Sequence, residues 1–175
     1  DWLDALGRRW RADAIPGVDA VALLDRLGVL GPGLLLVHGI HLRPSALRRA
    51  ARAGATLVTC PRSNRHVDGA LPDLRTWLRA GGRLAIGTDS LASAPDLDPL
   101  AEIPVLVNAL PDVPIGCWLA AATHGGGETL AHAGVGRIAV GRRPGLLALA
   151  VDGPDGLADG PPDRRWVVRP DGARA

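Results

Sequence analysis

RLAIGTD, residues 83–89, is the last of three short apolar runs that together decide the fold. LLLVHG at residues 34–39 and ATLVTCP at residues 55–61 precede it, and a glycine stands directly before each of the three runs. A continuous apolar run of this length is typical of a strand that is covered on both faces. Amphipathic helical patterns alternate with the three runs. This alternation predicts parallel strands and an α/β fold.

Six amphipathic segments of the chain read as helices. They lie at residues 1–12, 18–28, 43–54, 71–82, 99–110 and 114–126. Ser45 is expected to cap the third segment and Gly54 to close it. Pro104 is expected to interrupt the fifth, because proline removes a backbone hydrogen bond from a helix interior.

The C-terminal part of the chain has a different sequence pattern, with strands and turns in place of alternating strands and helices. GRIAVGRRPGLLALAV at residues 136–151 reads as two strands around a Gly/Pro turn, and residues 164–172 read as a further strand. We therefore expect two units, residues 1–133 and residues 134–175.

Composition indicates a globular domain and argues against several other classes. Hydrophobic residues make up 47% of the 175 residues, which is too many for a disordered chain. No apolar run reaches the roughly 18 residues of a bilayer span, so no membrane association is expected. The net charge is only +2, and the Arg residues are interleaved with Asp and Glu, which argues against nucleic-acid binding.

Two further features bear on the compartment and on the extent of the chain. Cys60 and Cys117 are far apart and fit neither a disulfide framework nor a zinc finger, so a reducing cytoplasm is expected. The chain contains no Met, and residues 1–10 read as the inside of a helix without a preceding cap. We therefore expect a fragment of a longer protein.

Polar side chains follow each of the three apolar runs. The first run ends at His38, the second leads into CPRSN at residues 60–64, and the third ends at Asp89 and Ser90. Because the carboxyl ends of parallel strands share one edge of a sheet, His38 and Asp89 are expected to converge. Each residue alone also has an ordinary interpretation, the His as a core or loop residue and the Asp as a helix cap or Asx-turn.

These segments resemble the amidohydrolase superfamily. LLLVHGIHL, GATLVTCPRSN and GGRLAIGTDSLAS are similar to its last three strand ends. CPRSN with GTDSLAS is most similar to the branch of aminodeoxyfutalosine deaminase and methylthioadenosine/S-adenosylhomocysteine deaminase. GRIAVGRRPGLLAL resembles the family's C-terminal return, although Gly145 and Leu146 stand where Ala-Asp is usual. The resemblance implies about three strand-helix units from the C-terminal part of a TIM-like (β/α)₈ barrel, followed by a small β-sandwich segment.

The resemblance also implies a function. It implies a metal-dependent hydrolytic deaminase that acts on an adenine nucleoside or a related C–N bond, with one divalent metal, zinc or iron. Asp89 matches a residue that binds the metal and accepts a proton from the attacking water. His38 matches a residue that hydrogen-bonds the reacting centre and helps to activate that water. Ser63, Asn64 and Ser90 are expected to contact substrate or support the site, and a homodimer is left open.

Most of the metal ligands that the resemblance implies are not found in this sequence. The family takes its metal mainly from a His-x-His after the first strand and from a His, with a Glu three residues on, at the fifth. His38 and His41 in HGIH have a different spacing, and His66, His124 and His132 lie in loops or in the C-terminal helical region. Three strands cannot close an eight-stranded barrel. We expect the N-terminal half of the barrel to lie elsewhere in a longer enzyme, and this chain alone to be inactive.

Other interpretations have less support in the sequence. HGGG at residues 124–127 occurs in lipases and esterases, yet no Ser here lies in a G-x-S-x-G context. GVGRIA at residues 134–139 is not followed by a helix, as a dinucleotide site requires, and a chain without Lys has no Walker-type phosphate loop. Cys60 reads as a buried apolar residue, and Trp77 and Trp118 read as core. An s-triazine-type chlorohydrolase, another amidohydrolase and a non-catalytic scaffold remain as alternatives.

Overall fold

The structure of the chain, a computed structural model, describes residues 19–130, 135–142, 144–162 and 165–168. The expected helix at residues 1–12 and the expected boundary near residue 133 lie outside these residues, as does His132.

A parallel sheet of three strands lies at the centre of the described structure. The strands are β1 (Leu35–Val37), β2 (Thr56–Thr59) and β3 (Arg83–Ile86), and β2 lies in the middle. Leu36 of β1 pairs with Leu57 of β2, which pairs in turn with Leu84 of β3. The parallel α/β arrangement predicted from the three apolar runs is confirmed, although each strand is shorter than its run.

Helices connect the strands and cover the sheet. In chain order they are α1 (Ala20–Arg26), α2 (Pro44–Arg52), α3 (Pro61–Asp68), α4 (Leu74–Arg79), α5 (Ile103–Ala109), α6 (Ile115–Ala120) and α7 (Gly126–Thr129). A 3₁₀ turn at Pro99–Glu102 precedes α5, and a π-helical turn at Ala121–Gly125 joins α6 to α7. Within the described part of the chain, no helix combines the length and the apolar character that crossing a bilayer requires.

Proline fixes the start of several helices, and this corrects one expectation. Pro44 occupies the first position of α2, where a missing N–H leaves no hydrogen bond unmade, so the expected cap at Ser45 is wrong. Arg43 is the N-cap residue instead and makes no side-chain capping bond. Pro104 lies in the first turn of α5, just after the 3₁₀ turn, so the segment at 99–110 is divided where proline predicted a break.

The hydrophobic core lies between the parallel sheet and its helices. Leu57 of β2, Leu47 of α2 and Ile103 of α5 are fully buried there. Trp77 and Trp118 are fully buried as well, as the sequence predicted. The Trp77 indole Nε1 donates to the backbone oxygen of Arg83 at 2.9 Å, which ties α4 to the first residue of β3.

A second sheet contains β4 (Leu146–Leu149) and β5 (Arg165–Val168), which pair antiparallel. The strand expected within residues 164–172 is therefore found. The expectation of two strands in residues 136–151 is wrong, because only β4 forms among the residues described there. Gly136 and Gly141 have φ values of 80° and 79°, which break an extended conformation at both ends of the intervening apolar residues.

Candidate functional site

The candidate site lies at the carboxyl edge of the parallel sheet. His38 directly follows β1, and Asp89 follows β3 after two residues. Both residues line an open cavity of about 670 Å³, together with Ser63 and Asn64 of α3. Because β1 and β3 run in the same direction, their carboxyl ends reach the same edge of the sheet. The structure thus brings together the His and the Asp that the sequence analysis selected.

The backbone is strained at these two positions. Among the described residues other than glycine, only His38 and Asp89 have a positive φ, at 65° and 64°. This left-handed conformation is uncommon for residues with a side chain, and it persists where the surrounding structure requires it. Strain of this kind clusters at functional sites, so its restriction to the ends of β1 and β3 marks this edge of the sheet.

Two consecutive residues of α3 hold the two strand ends. Ser63 Oγ donates to Asp89 Oδ2 at 2.7 Å, and His38 Nδ1 donates to Asn64 Oδ1 at 2.7 Å. Ser63 and Asn64 are each only 1% exposed, so packing fixes both side chains. With the proton on Nδ1, the second ring nitrogen of His38, Nε2, is an acceptor. α3 begins one residue after β2, and this places its first turn between the ends of the two outer strands.

Hydroxyl groups stabilise the negative charge of Asp89. Oδ2 of Asp89 accepts from Ser63 Oγ and also from Ser93 Oγ, at 2.7 and 2.9 Å. The hydrogen bond from Ser63, then that from Ser93, lowers the pKa of Asp89 below its ordinary value of 3.8, and the nearby His38 contributes less. The Asp89 carboxylate is therefore ionised at neutral pH.

The turn after β3 contains one residue that the sequence analysis selected and one that it missed. Ser90 is exposed and does not line the cavity, and its Oγ accepts from the Ala92 backbone N–H at 3.3 Å. Ser93 was missed as a partner of Asp89, although its position four residues after the acid in DSLAS was a usable signal. A role of Ser90 in substrate contact stays a prediction.

Of the other histidines described, only His41 lines the cavity of His38. His41 lines the same cavity as His38, and its Nε2 lies 3.2 Å from Asp68 Oδ1. His66 is exposed on α3, and His124 lies in the π-helical turn. His124 lines a smaller cavity of about 140 Å³ together with Leu35 and Arg83, the first residues of β1 and β3. It therefore lies at the opposite edge of the sheet from His38.

Cys60 has the properties of a packing residue. It lies between β2 and α3 and is 2% exposed. Burial, followed by the negative charges of Asp89 and Glu102, raises the pKa of its thiol to about 11. Because the thiolate is the nucleophilic form of cysteine, this thiol is unreactive at neutral pH.

Comparison with known proteins identifies the family. The model of the Amidohydrolase family matches residues 10–166 of the sequence. The chain belongs to the amidohydrolase family. An aminodeoxyfutalosine deaminase from Deinococcus radiodurans is 38% identical to this amidohydrolase chain over 111 residues, which cover 63% of the chain and 27% of that protein. A 5-methylthioadenosine/S-adenosylhomocysteine deaminase from Natronomonas pharaonis is 31% identical over 150 residues, which cover 79% of the chain and 33% of that protein.

A solved structure agrees with this assignment. The adenosine deaminase from Xanthomonas campestris with bound zinc superimposes with a TM-score of 0.79 at 26% identity. The match covers 98% of this amidohydrolase chain and 41% of that protein. The chain therefore spans less than half the length of each of these three proteins.

The described residues of this amidohydrolase chain do not by themselves form a metal centre. Among them, no group of three or more His, Cys, Asp or Glu side chains is arranged to hold a metal ion. Asp89 offers a carboxylate at the cavity, but protein zinc sites use three or four protein ligands. The described part of the chain thus supplies one candidate ligand and not a complete site.

Proposed function

We propose that the whole protein is a hydrolytic deaminase that removes the amino group from an adenine nucleoside or a closely related compound. The observation that carries the proposal is the meeting of His38 and Asp89 in one cavity, each with a strained backbone and each bonded to α3. The named activities of the similar proteins, which act on aminodeoxyfutalosine, 5-methylthioadenosine, S-adenosylhomocysteine and adenosine, support the choice of substrate class.

The proposed reaction uses the ionised Asp89 as a proton carrier. Water attacks the ring carbon that bears the amino group, so that a C–O bond forms while the electron pair of the adjacent ring C=N bond moves to the ring nitrogen. Asp89 accepts one proton from this water and passes it to the amino nitrogen; the C–N bond to this nitrogen then breaks as the ring C=N bond re-forms. The proton of the new hydroxyl group moves to the ring nitrogen, so the products are ammonia and a ring carbonyl. Asp89 is ionised at neutral pH, and only an ionised carboxylate accepts a proton.

His38 orients the attacking water in this proposal. Its Nδ1 proton is engaged by Asn64, so Nε2 accepts a hydrogen bond from the water and directs the oxygen lone pair at the substrate. Ser63 and Asn64 support the site by holding Asp89 and His38, and substrate contact by Ser63, Asn64 and Ser90 remains part of the proposal.

We further propose that Asp89 is one ligand of a divalent metal, zinc or iron, and that the other ligands lie outside the described residues. The bound zinc of the similar adenosine deaminase supports this choice of metal. In this proposal, residues 1–133 are part of a (β/α)₈ barrel whose N-terminal half supplies the remaining ligands, and residues 134–175 are part of a β-sandwich. The location is proposed to be the cytoplasm.

Ammonia release by the whole, metal-loaded protein tests the proposed function. The substrates are aminodeoxyfutalosine, 5-methylthioadenosine, S-adenosylhomocysteine and adenosine. A chlorinated s-triazine is included to detect dechlorination. Release of ammonia from at least one adenine nucleoside is expected. Chloride release alone would favour the chlorohydrolase alternative, and no turnover of any compound would favour the scaffold.

A further inference from the structure

Glu102, in the 3₁₀ turn before α5, is a carboxylate with no exposed surface. Both of its oxygens bind the same partner, Arg62 of α3. The Arg62 backbone N–H donates to Oε2 at 2.7 Å, and the Arg62 side-chain Nε donates to Oε1 at 2.6 Å. Glu102 therefore fixes both the backbone and the side chain of one residue in the first turn of α3.

Asp96 holds the outer end of the same guanidinium. Arg62 Nη1 donates to Asp96 Oδ2 at 3.0 Å, and Arg62 Nη2 donates to Asp96 Oδ1 at 2.8 Å. The Arg62 side chain is only 14% exposed, whereas Asp96 is 54% exposed. The guanidinium thus extends from a buried carboxylate to a half-exposed one, and this leaves it little freedom to move.

Arg62 is followed directly by the two residues that bind the strand ends. Ser63 donates to Asp89, and Asn64 accepts from His38. Three consecutive residues in the first turn of α3 therefore contact Glu102, Asp89 and His38 in turn. A rotation or shift of this turn would move both hydrogen bonds to the candidate site together.

We propose that Glu102 is a positioning residue that acts through Arg62 to hold the first turn of α3, and with it His38 and Asp89, in the geometry for reaction. This inference rests on the proposed function. Replacing a buried ion pair by apolar side chains is often neutral or stabilising, so stability alone does not require a charged pair here. The Arg62–Glu102 pair is connected to both strand ends through Ser63 and Asn64, and we assign it the role of positioning His38 and Asp89.

The test measures the ring nitrogens of His38 in the protein labelled with ¹⁵N-histidine. In the unmodified protein, the hydrogen bond to Asn64 favours one tautomer, so the two ¹⁵N shifts are expected to be well separated. Glu102→Gln keeps the shape but loses the charge and one acceptor, and we expect the two shifts to converge toward the average of the tautomers. Arg62→Lys keeps the backbone bond to Glu102, so a smaller convergence is expected. The two ¹⁵N signals that are absent from the spectrum of the His38→Gln variant are those of His38.

Asp112→Asn is the matched control, because it removes an acid from the exposed Arg75–Asp112 ion pair. It is expected to leave the His38 shifts unchanged. Folding of every variant is checked by circular dichroism, and Arg62→Lys decides the test if Glu102→Gln does not fold. Unchanged His38 shifts in a folded Glu102→Gln protein, or in a folded Arg62→Lys protein where that variant decides, would overturn the proposal.

A kinetic measurement separates this inference from the proposed function. In the deamination assay, Glu102→Gln is expected to lower kcat by about 10- to 100-fold with little change in KM, because misplaced catalytic groups slow the chemical step. An equal loss in the Asp112→Asn control, or a change in KM alone, would contradict a positioning role. The nitrogen shifts need no turnover, so they test the contact chain even where no substrate is deaminated.

Discussion

His38 and Asp89 occupy a backbone conformation that costs on the order of 1 kcal/mol or more for a residue with a side chain. Glycine would relieve this strain but would remove the imidazole and the carboxylate from the cavity. Asparagine is among the few other residues that adopt the left-handed conformation readily. Asn substitutions at His38 and Asp89 therefore change the side-chain chemistry while they leave the backbone largely undisturbed.

His38→Asn is expected to lower the rate of deamination by about 10²- to 10⁴-fold, because it removes the nitrogen that orients the attacking water. The metal content is expected to fall much less than the rate, since His38 is not proposed as a ligand. Ammonia release and elemental analysis of the same protein sample measure the two quantities. A loss of metal that exceeds the loss of rate would instead make His38 a ligand.

At the scale of residues, the sequence predicted that His38 and Asp89 converge, and the structure places both in one cavity. It did not predict contacts between residues that meet only through the fold. His38 and Asp89 were selected because each ends an apolar run. The Arg62–Glu102 pair joins residues 40 positions apart, and nothing in the sequence around Glu102 connects it to α3. Ser93 stands four residues after Asp89, which was a signal in the sequence, but the turn after β3 decides whether the two side chains meet.

At the scale of elements, α3 was not among the predicted helices, because those helices were inferred from apolar periodicity. PRSNRHVD contains one aliphatic residue besides its proline, so it lacks the repeating apolar face that marked the other helices. Its boundaries are set by Pro61 in the first turn and by Gly69, which has a φ of 66° in the left-handed region. The three strands were predictable because apolar residues run through each of them.

Asp73 caps α4 and gives this helix a pH-dependent stability. Its side chain accepts from the Thr76 backbone N–H at 2.9 Å, and hydrogen bonding to Thr76 lowers the pKa of Asp73 below 3.8. Asp73→Ala is expected to lower the free energy of unfolding at pH 7 by about 1 kcal/mol. Because the pKa of Asp73 is lower in the folded than in the unfolded protein, the cap stabilises the fold fully at pH values above the ordinary pKa of 3.8. This stabilisation is lost as the pH falls through the pKa that Asp73 has in the folded protein.

Urea unfolding of Asp73→Ala and of the unmodified protein across this pH range measures the contribution. The difference between the two proteins is expected to shrink below about pH 4. Asp159→Ala, at an exposed position outside the helices, serves as the control. A difference that stays constant down to low pH would contradict a charged cap at α4.

The packing of α4 against β3 requires a glycine at position 82. A Cβ added there would lie 2.4 Å from the ring atoms of Trp77, whereas a Cβ at Gly116 in α6 would meet nothing within 4 Å. Gly82→Ala is therefore expected to lower the free energy of unfolding by about 1–3 kcal/mol. Gly116→Ala is expected to raise it by up to about 1 kcal/mol, because alanine has the higher helix propensity. Denaturant unfolding compares the two variants, and equal effects would contradict the packing described.

At the scale of the whole molecule, the parallel sheet has an exposed apolar edge in the described structure. β1 is an outer strand, and Leu35 and Val37 are 39% and 51% exposed. Outer strands with apolar side chains pair readily with other chains. In the proposed barrel, the N-terminal half of the protein covers this edge. The three apolar runs predicted a sheet of three strands, but they contain no measure of how exposed β1 is.

The exposed edge predicts that the 175-residue chain by itself associates as its concentration rises from about 1 µM to 1 mM. Val37→Lys is expected to reduce this association, because a charged side chain on an outer strand opposes pairing. Leu97→Lys, at another exposed apolar position outside the strands, is the control. Light scattering after size-exclusion chromatography measures the mass. A chain that stays monomeric throughout, or equal effects of the two variants, would show that β1 does not drive association.

The central claim is that two parallel strands bring His38 and Asp89 together as one hydrolytic site, with Asp89 as the group that carries the proton. Its most direct test compares ammonia release by the whole, metal-replete protein with release by its Asp89→Asn and Asp112→Asn variants. We expect Asp89→Asn to abolish turnover and to retain metal poorly, while Asp112→Asn keeps the activity of the unmodified protein. Comparable activity of the metal-replete Asp89→Asn and unmodified proteins would contradict the account.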